Sequence, residues 1–414
     1  MKELIEKLYL ERRDLVSEGF NRALAHINTQ LPIQIHSYPS GSPAWTWKIP
    51  ESWSVKAAFI ETLSGKRLLD LKDHPLHVIS YSLPVNKIVS REELLKHLHT
   101  RPDRPRAIPY EFKYYERDWG FCLPHERLTE FTEPEYKVFI DASFETANLT
   151  VGECLIMGES KETIVLVAHL CHPGQANDDL SGVSVLVNIG KTLLKQKPKF
   201  TYRLLFVPET IGSIAYLSHN ENLIPEFKAG IFLEMLGNDA RHALQTSRSD
   251  DTYLDRVAKA VIKSRLKDFT VGSFRKIVGN DEMAFNGPGV NVPMISISRA
   301  IPGFPHYPEY HTSDDTPAII SEDRLMESRD LVLKILDTIE QDYIPLRKFK
   351  GPVFLSGYGL WIDWRINKKL NQSIEQIMLR LEGSQTVFEI AQELGMNFEE
   401  VKDYIDKFVD KGLV

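Results

Sequence analysis

The sequence predicts an α/β protein on a mostly parallel sheet covered on both faces, with a small inserted β-rich domain and a C-terminal winged-helix-like domain. Three observations carry this prediction. Strand and helix signals alternate after about residue 136. Prolines, tryptophans and short β-branched runs dominate 36–135. Three short amphipathic helices follow 349. The implied division is 1–35 with 136–348 for the α/β domain, 36–135 for the insertion and 349–414 for the last unit.

In chain order, Leu4, Ile5, Leu8, Leu15, Phe20, Leu24 and Ile27 recur near a 3.6-residue period, so residues 2–30 read as one helix. Within the insertion, Trp45–Trp53, His77–Ser82 and Tyr110–Tyr115 read as strands, interrupted by turn signals such as Pro-Asp-Arg-Pro-Arg at 102–106. Strands are then expected at Ile164–His169, Tyr202–Pro208, Ala229–Met235 and Val292–Ser298. Helices are expected at Asp178–Lys195, Ile211–His219, Tyr253–Ser264 and Ser321–Asp342. In the tail, Ile374–Leu381, Thr386–Leu394 and Asn397–Lys411 read as helices, with Thr386 and Asn397 as N-caps.

Charge and composition narrow the function classes. The 414 residues carry a net charge of −7, which argues against a general nucleic-acid or membrane-surface binder. The tail, 371–414, has four Lys or Arg against nine Asp or Glu, so its helix-turn-helix spacing is not expected to serve DNA. A protein contact, or a homodimer through this unit, is the expected use. Cys122, Cys154 and Cys171 make no disulfide pattern, no span approaches a membrane helix, and the charged N-terminus is unlike a signal peptide. A cytoplasmic protein is expected.

One stretch carries chemistry. From Val165 to Gly182 the chain reads Val-Leu-Val-Ala-His-Leu-Cys-His-Pro-Gly-Gln-Ala-Asn-Asp-Asp-Leu-Ser-Gly. A buried strand ends in two histidines, and a Pro-Gly turn then delivers two carboxylates to a helix start, a nitrogen and oxygen donor set suited to zinc. Further candidates follow their own β elements: Glu209-Thr210, Glu234-Met235-Leu236-Gly237, Gly279-Asn280-Asp281-Glu282, and Glu309-Tyr310-His311 upstream of Asp314-Asp315. Taken singly, an acid after a strand is more often a helix cap than a ligand, and Asp179 is read that way. Their serial order is what points to a shared site.

Over residues 140–345 these motifs resemble the co-catalytic zinc aminopeptidases, which include bacterial leucyl aminopeptidases and glutamate carboxypeptidases. The chain is still more similar to a subgroup of aminopeptidase-like proteins with an inserted β domain and a C-terminal winged helix. The resemblance implies a three-layer zinc-exopeptidase-like fold and one or two zinc ions. It implies His169, Asp178, Glu234 and His311 as ligands, with Asp178 bridging. Glu209 is implied as general base and Tyr310 as oxyanion donor.

Two departures stand out. Thr210 replaces the family's second Glu, a metal ligand. Cys171 replaces the Asp that orients the ligand histidine, with His172 beside it, or Cys171 itself as thiolate, as a replacement ligand. Asp315 is expected to orient His311 or cap the next helix, and Asp281 and His306 to line the substrate pocket. The expected activity is hydrolysis of an amide bond in a small peptide or aminoacyl substrate. Two alternatives stay open: a decayed metal-binding scaffold, and an amidase acting on an N-acyl or aminoacyl sugar in polysaccharide biosynthesis.

Overall fold

The run Thr163–His169 is buried at every position, as a strand must be when helices cover both faces of its sheet. In the computed structural model, which describes residues 1–414, it lies inside an eight-stranded sheet. In chain order the strands are β1 (Gln34–Pro39), β2 (Asn148–Ile156), β3 (Thr163–His169), β4 (Thr201–Val207), β5 (Phe227–Glu234), β6 (His242–Gln245), β7 (Phe269–Gly272) and β8 (Met294–Arg299). Their spatial order is β1-β2-β4-β3-β5-β8-β6-β7. The central strands β4, β3, β5 and β8 are parallel, whereas β1 and β2 join antiparallel to their neighbours, and β6 runs antiparallel to β8 but parallel to β7. The three-layer α/β expectation is therefore met, with a mixed rather than uniform periphery.

Sequence patterning passed over β1, β2, β6 and β7. In β2 the reason is visible, because Glu153 is buried within it yet paired with His36 and Arg203. A charged residue inside a strand hides the apolar run that would announce it.

The expected single helix over 2–30 is two helices, Lys2–Leu8 and Glu18–Asn28. Between them Arg13 is completely buried, and its guanidinium donates to the carbonyls of Leu8, Leu170, Cys171, His172 and Gln175. A side chain committed to five carbonyls outside a helix outweighs the helical periodicity of its neighbours. Ser17 then caps the second helix by accepting from Phe20 N.

Between β1 and β2 the chain builds a four-stranded antiparallel sheet in the order Arg67–Asp70, Ser52–Thr62, Glu135–Glu145, Val85–Ser90. Its central strand, Glu135–Glu145, lies past the boundary at 135 that composition suggested, because Tyr136, Val138 and Ile140 alternate like any half-buried strand. The runs 77–82 and 110–115 are not strands; they make only isolated bridges, Val78 with Phe121 and Ser80 with Phe112. Pro75, Pro84 and Pro109 flank them and withhold ladder donors.

The chain divides into two units, Met1–Leu333 and Lys334–Val414. In the second, the helices are Lys368–Arg380, Val387–Glu393 and Phe398–Asp410; Thr386 and Asn397 cap the last two, as the tail pattern implied, whereas the first starts before the expected Ile374 and is capped by Asn367. They enclose Leu370, Ile374, Ile377, Val387, Ile390, Val401, Ile405 and Phe408. No hairpin wing accompanies them; pairing in this unit is limited to one bridge, Leu346 with Glu382. No helix anywhere in the chain is long and apolar enough to cross a membrane.

Candidate metal centre

Parallel strands deliver the side chains that follow their C-terminal ends to one edge of the sheet. His169 ends β3, Glu209 lies just past β4, and Glu234 ends β5. The segment 170–178 brings in His172 and Asp178, and the loop after β8 brings in Tyr310 and His311. The side chains meet as the serial pattern implied.

His169 Nε2 lies 3.0 Å from Asp178 Oδ1 and 3.7 Å from Glu234 Oε1, all three groups being buried. His311 Nε2 lies 2.9 Å from the other oxygen of Asp178, Oδ2. Two ligand sets share Asp178, His169 with Asp178 and Glu234 in one and His172 with Asp178 and His311 in the other, and a third group, His169, Cys171 and His172, overlaps both, each with donor atoms within 4.8 Å of one another. Ligands bound at about 2.0–2.2 Å in a tetrahedron stand about 3.3–3.6 Å apart, so the spacing fits a divalent ion in each set. Their unsatisfied atoms fit too. His169 Nε2, Asp178 Oδ1 and Glu234 Oε2 are buried without a hydrogen-bond partner. Buried polar atoms rarely stay orphaned, and a cation satisfies all three at once.

Thr210 belongs to neither set; its backbone N–H donates to Asp281 Oδ1 at 3.0 Å. His172 stands in the second set where that ligand is missing. It holds φ 80°, a left-handed conformation costly for a side chain this bulky, and Arg13 pins its carbonyl at 2.8 Å. Met235 and His311, at φ 55°, share that strain around the site.

The supporting residues differ in part from expectation. Cys171 Sγ faces Nδ1 of His172 at 3.1 Å and Nδ1 of His169 at 3.8 Å, and accepts from Glu209 N at 3.2 Å. It therefore sits behind the histidines, as expected of an orienting group, and burial raises its pKa so that the thiol stays neutral. Asp179 accepts from Gly182 N and Met235 N, the capping role read for it, although this cap also ties β5 to the helix start.

Asp315 does not orient His311. Its carboxylate accepts from Asn177 N, Asp178 N and the Tyr307 hydroxyl, so it holds the bridging segment from behind. Asp281 does not line a pocket either: it is fully buried and anchors the turn at Thr210. His306 stays near the site, its ring 4.9 Å from that of Tyr310.

Three contributors escaped sequence reading. Arg13 fixes the 170–175 loop. Asn280 donates to Glu234 Oε1. Tyr110, from the insertion, places its ring 5.0 Å from His172 and 5.2 Å from His311, and its N–H donates to His311 O at 2.9 Å. Among these only Asn280, within the Gly-Asn-Asp-Glu segment after a β element, carried a sequence signal.

Electrostatically the centre is a dry, acid-rich hole. Burial raises the pKa of Glu209, Glu234 and Asp179, and pushes Asp281, Glu282 and Asp315 up to about 7. Burial works against ionisation of Asp178 as well, but the surrounding imidazoles, with His169 and His311 in direct contact with its two oxygens, outweigh it and hold the bridging carboxylate well below the usual range. Burial keeps His172 neutral, the form that ligates metal. Glu209 and His311 are each about one-fifth exposed, whereas the side chains of His169, His172, Asp178 and Glu234 are at most 2 % exposed. Of the carboxylates at the centre, Glu209 is the one that can reach substrate.

Residues 2–342 match the family described as "Domain of unknown function (DUF4910)". The chain belongs to that family. It is also 34 % identical over 403 residues, 96 % of this chain and 92 % of the other, to a Clostridium acetobutylicum protein named "Putative polysaccharide biosynthesis protein with aminopeptidase-like domain". Among solved structures, one titled "putative peptidase" from the same organism matches at TM-score 0.87 and 32 % identity, covering 100 % of this chain and 94 % of that one. A zinc aminopeptidase from Bacillus subtilis matches at TM-score 0.60 and 14 % identity, covering 81 % of this chain and 93 % of that one. A peptidase M28 precursor from Shewanella amazonensis matches at 0.58 and 15 %, covering 85 % and 95 %. The fold is thus that of the co-catalytic zinc aminopeptidases, as the motifs implied.

Proposed function

We propose that this protein is a zinc-dependent, aminopeptidase-like hydrolase that cleaves the amide bond of a peptide or aminoacyl substrate. The observation that carries the proposal is the pair of ligand sets sharing Asp178, beside an accessible carboxylate, Glu209. Bound zinc would supply Lewis acidity and a water of lowered pKa.

The chain's own groups supply the rest. Glu209 Oε2, 3.3 Å from His172 Nε2, is placed to accept the proton of the attacking water and pass it to the leaving amine. Its raised pKa makes it a stronger base than a surface glutamate. The Tyr310 hydroxyl is held protonated by burial and by the nearby Asp178, Glu234 and Glu209 charges, so it donates to the carbonyl oxygen as negative charge develops there. Its ring is fixed by stacking on His311, with centroids 4.0 Å apart.

The name of the Clostridium relative favours a second reading, in which the amide belongs to an N-acyl or aminoacyl sugar. Both readings face one experiment: metal per chain by mass spectrometry, and turnover on aminoacyl anilides and N-acyl amino sugars. The expected result is bound zinc, turnover on one class, and loss of turnover on chelation. In Glu209→Gln, turnover should fall at least about 100-fold with metal content unchanged. Metal without turnover on either class overturns the enzyme in favour of the decayed scaffold.

A further inference from the structure

A cavity of about 390 Å³ opens next to the centre. Its wall includes Thr210, the residue after Glu209, and Asn280, which donates to Glu234. The cavity is thus one residue from the proposed base and one hydrogen bond from a proposed ligand. Part of its wall is apolar, including Phe274 and Met283, with Trp47 added by the insertion from a hairpin packed against the helix Ile211–His219.

The charged residues of this wall are Arg248 and Arg275, and no Asp or Glu joins them. Across the chain most arginines pair with a carboxylate: Arg22 with Glu11, Arg101 with Asp103, Arg117 with Glu51, Arg324 with Asp239. These two do not. Arg248 donates from its guanidinium only to the neutral Asn291 side chain, and Arg275 makes neither an ion pair nor a hydrogen bond. In a chain of net charge −7, two guanidiniums without a carboxylate sit together in a partly apolar hollow beside a hydrolytic centre.

We infer that this cavity receives an anionic group of the substrate, a carboxylate or phosphate, held by Arg248 and Arg275, with its apolar stem against Trp47 and Met283. Guanidinium forks suit both anions, which their planar N–H pairs meet in bidentate fashion. An apolar wall raises the strength of such a contact relative to open water. The inference deepens the proposed function and rests on it only for the word substrate. The cavity's anion preference can be measured without turnover.

The test is calorimetric titration of the full-length zinc-loaded protein with glutarate, butyl phosphate and neutral glutaramide. The expected result is binding of glutarate or butyl phosphate, whichever anion the cavity serves, with glutaramide at least 10-fold weaker. In Arg248→Gln/Arg275→Gln the favoured anion should also bind at least 10-fold more weakly. Both arginines are exposed, so this variant is expected to fold, and its thermal midpoint checks that. Should it unfold, Arg275→Gln alone carries the comparison.

On cleavable substrates, KM for an acidic aminoacyl amide should rise at least 10-fold in the double variant with kcat held, while a neutral one is unaffected. Anion binding that survives in the double variant belongs to the metals and overturns the inference, as does the absence of anion binding in the parent. Hydrolysis of neutral amides without anion binding retires the inference alone. Arginine-dependent binding without any hydrolysis retires the proposed function alone.

Discussion

At the scale of single residues, His172 and Thr210 have exchanged roles. A threonine stands where the resemblance calls for a ligand, and a histidine three positions past a buried strand stands with Asp178 and His311 in a group that could hold an ion. His172→Ala should therefore lower bound zinc from two equivalents to one, measured by mass spectrometry after dialysis. Thr210→Ala should leave both in place. Equal zinc in His172→Ala and the parent would remove His172 from the centre. The segments carrying His169 with Asp178, Glu209, Glu234, and Tyr310 with His311 were legible in the sequence, because each segment follows its own β element. The duties of Asp281 and Asp315 were not. An acid that receives backbone N–H groups and an acid that meets substrate look alike until burial and donors are known.

At the scale of elements, the loop carrying Cys171 and His172 is held by a residue from the far N-terminus. Arg13 satisfies carbonyls that no strand or helix ladder reaches. Arg13→Met should cost about 3–5 kcal/mol in urea unfolding, since it strips a buried hydrogen-bonded network of its only cation donor. A loss below about 1 kcal/mol would show that the loop holds its own shape. The helix beginning at Gly182 depends on close approach. A Cβ there would meet Asp179 Oδ1 at 2.4 Å and Leu233 O at 2.6 Å. Gly182→Ala should cost about 1–3 kcal/mol and disturb the Asp179 link to β5, read as a lower urea midpoint.

At the scale of the whole molecule, buried histidines set a pH limit on stability. Burial, with Arg299 close by, holds His242 down to about 3, against an ordinary value near 6.5. The unfolded chain binds a proton there below pH 6.5 and the folded chain does not, so His242 costs no stability above pH 6.5 and an increasing amount below it. Relative to His242→Gln, the wild-type protein should lose about 2 kcal/mol between pH 8 and pH 5, at about 1.4 kcal/mol per unit below 6.5. Urea midpoints of the two proteins at both pH values measure this. A constant gap would show that His242 protonates within the fold.

What the sequence determined by itself was the layered α/β architecture, the tail helices with the caps Thr386 and Asn397, and the candidate ligands that end strands or follow turns. All are local or periodic properties, written in neighbouring residues. What only the tertiary structure decided was the split of the first helix, the reach of the insertion to Tyr110 beside the centre, and the roles of Arg13, Asp281 and Asp315. Those depend on which unpaired backbone groups and charges the packed chain leaves facing one another across long stretches of sequence, and no local pattern encodes that.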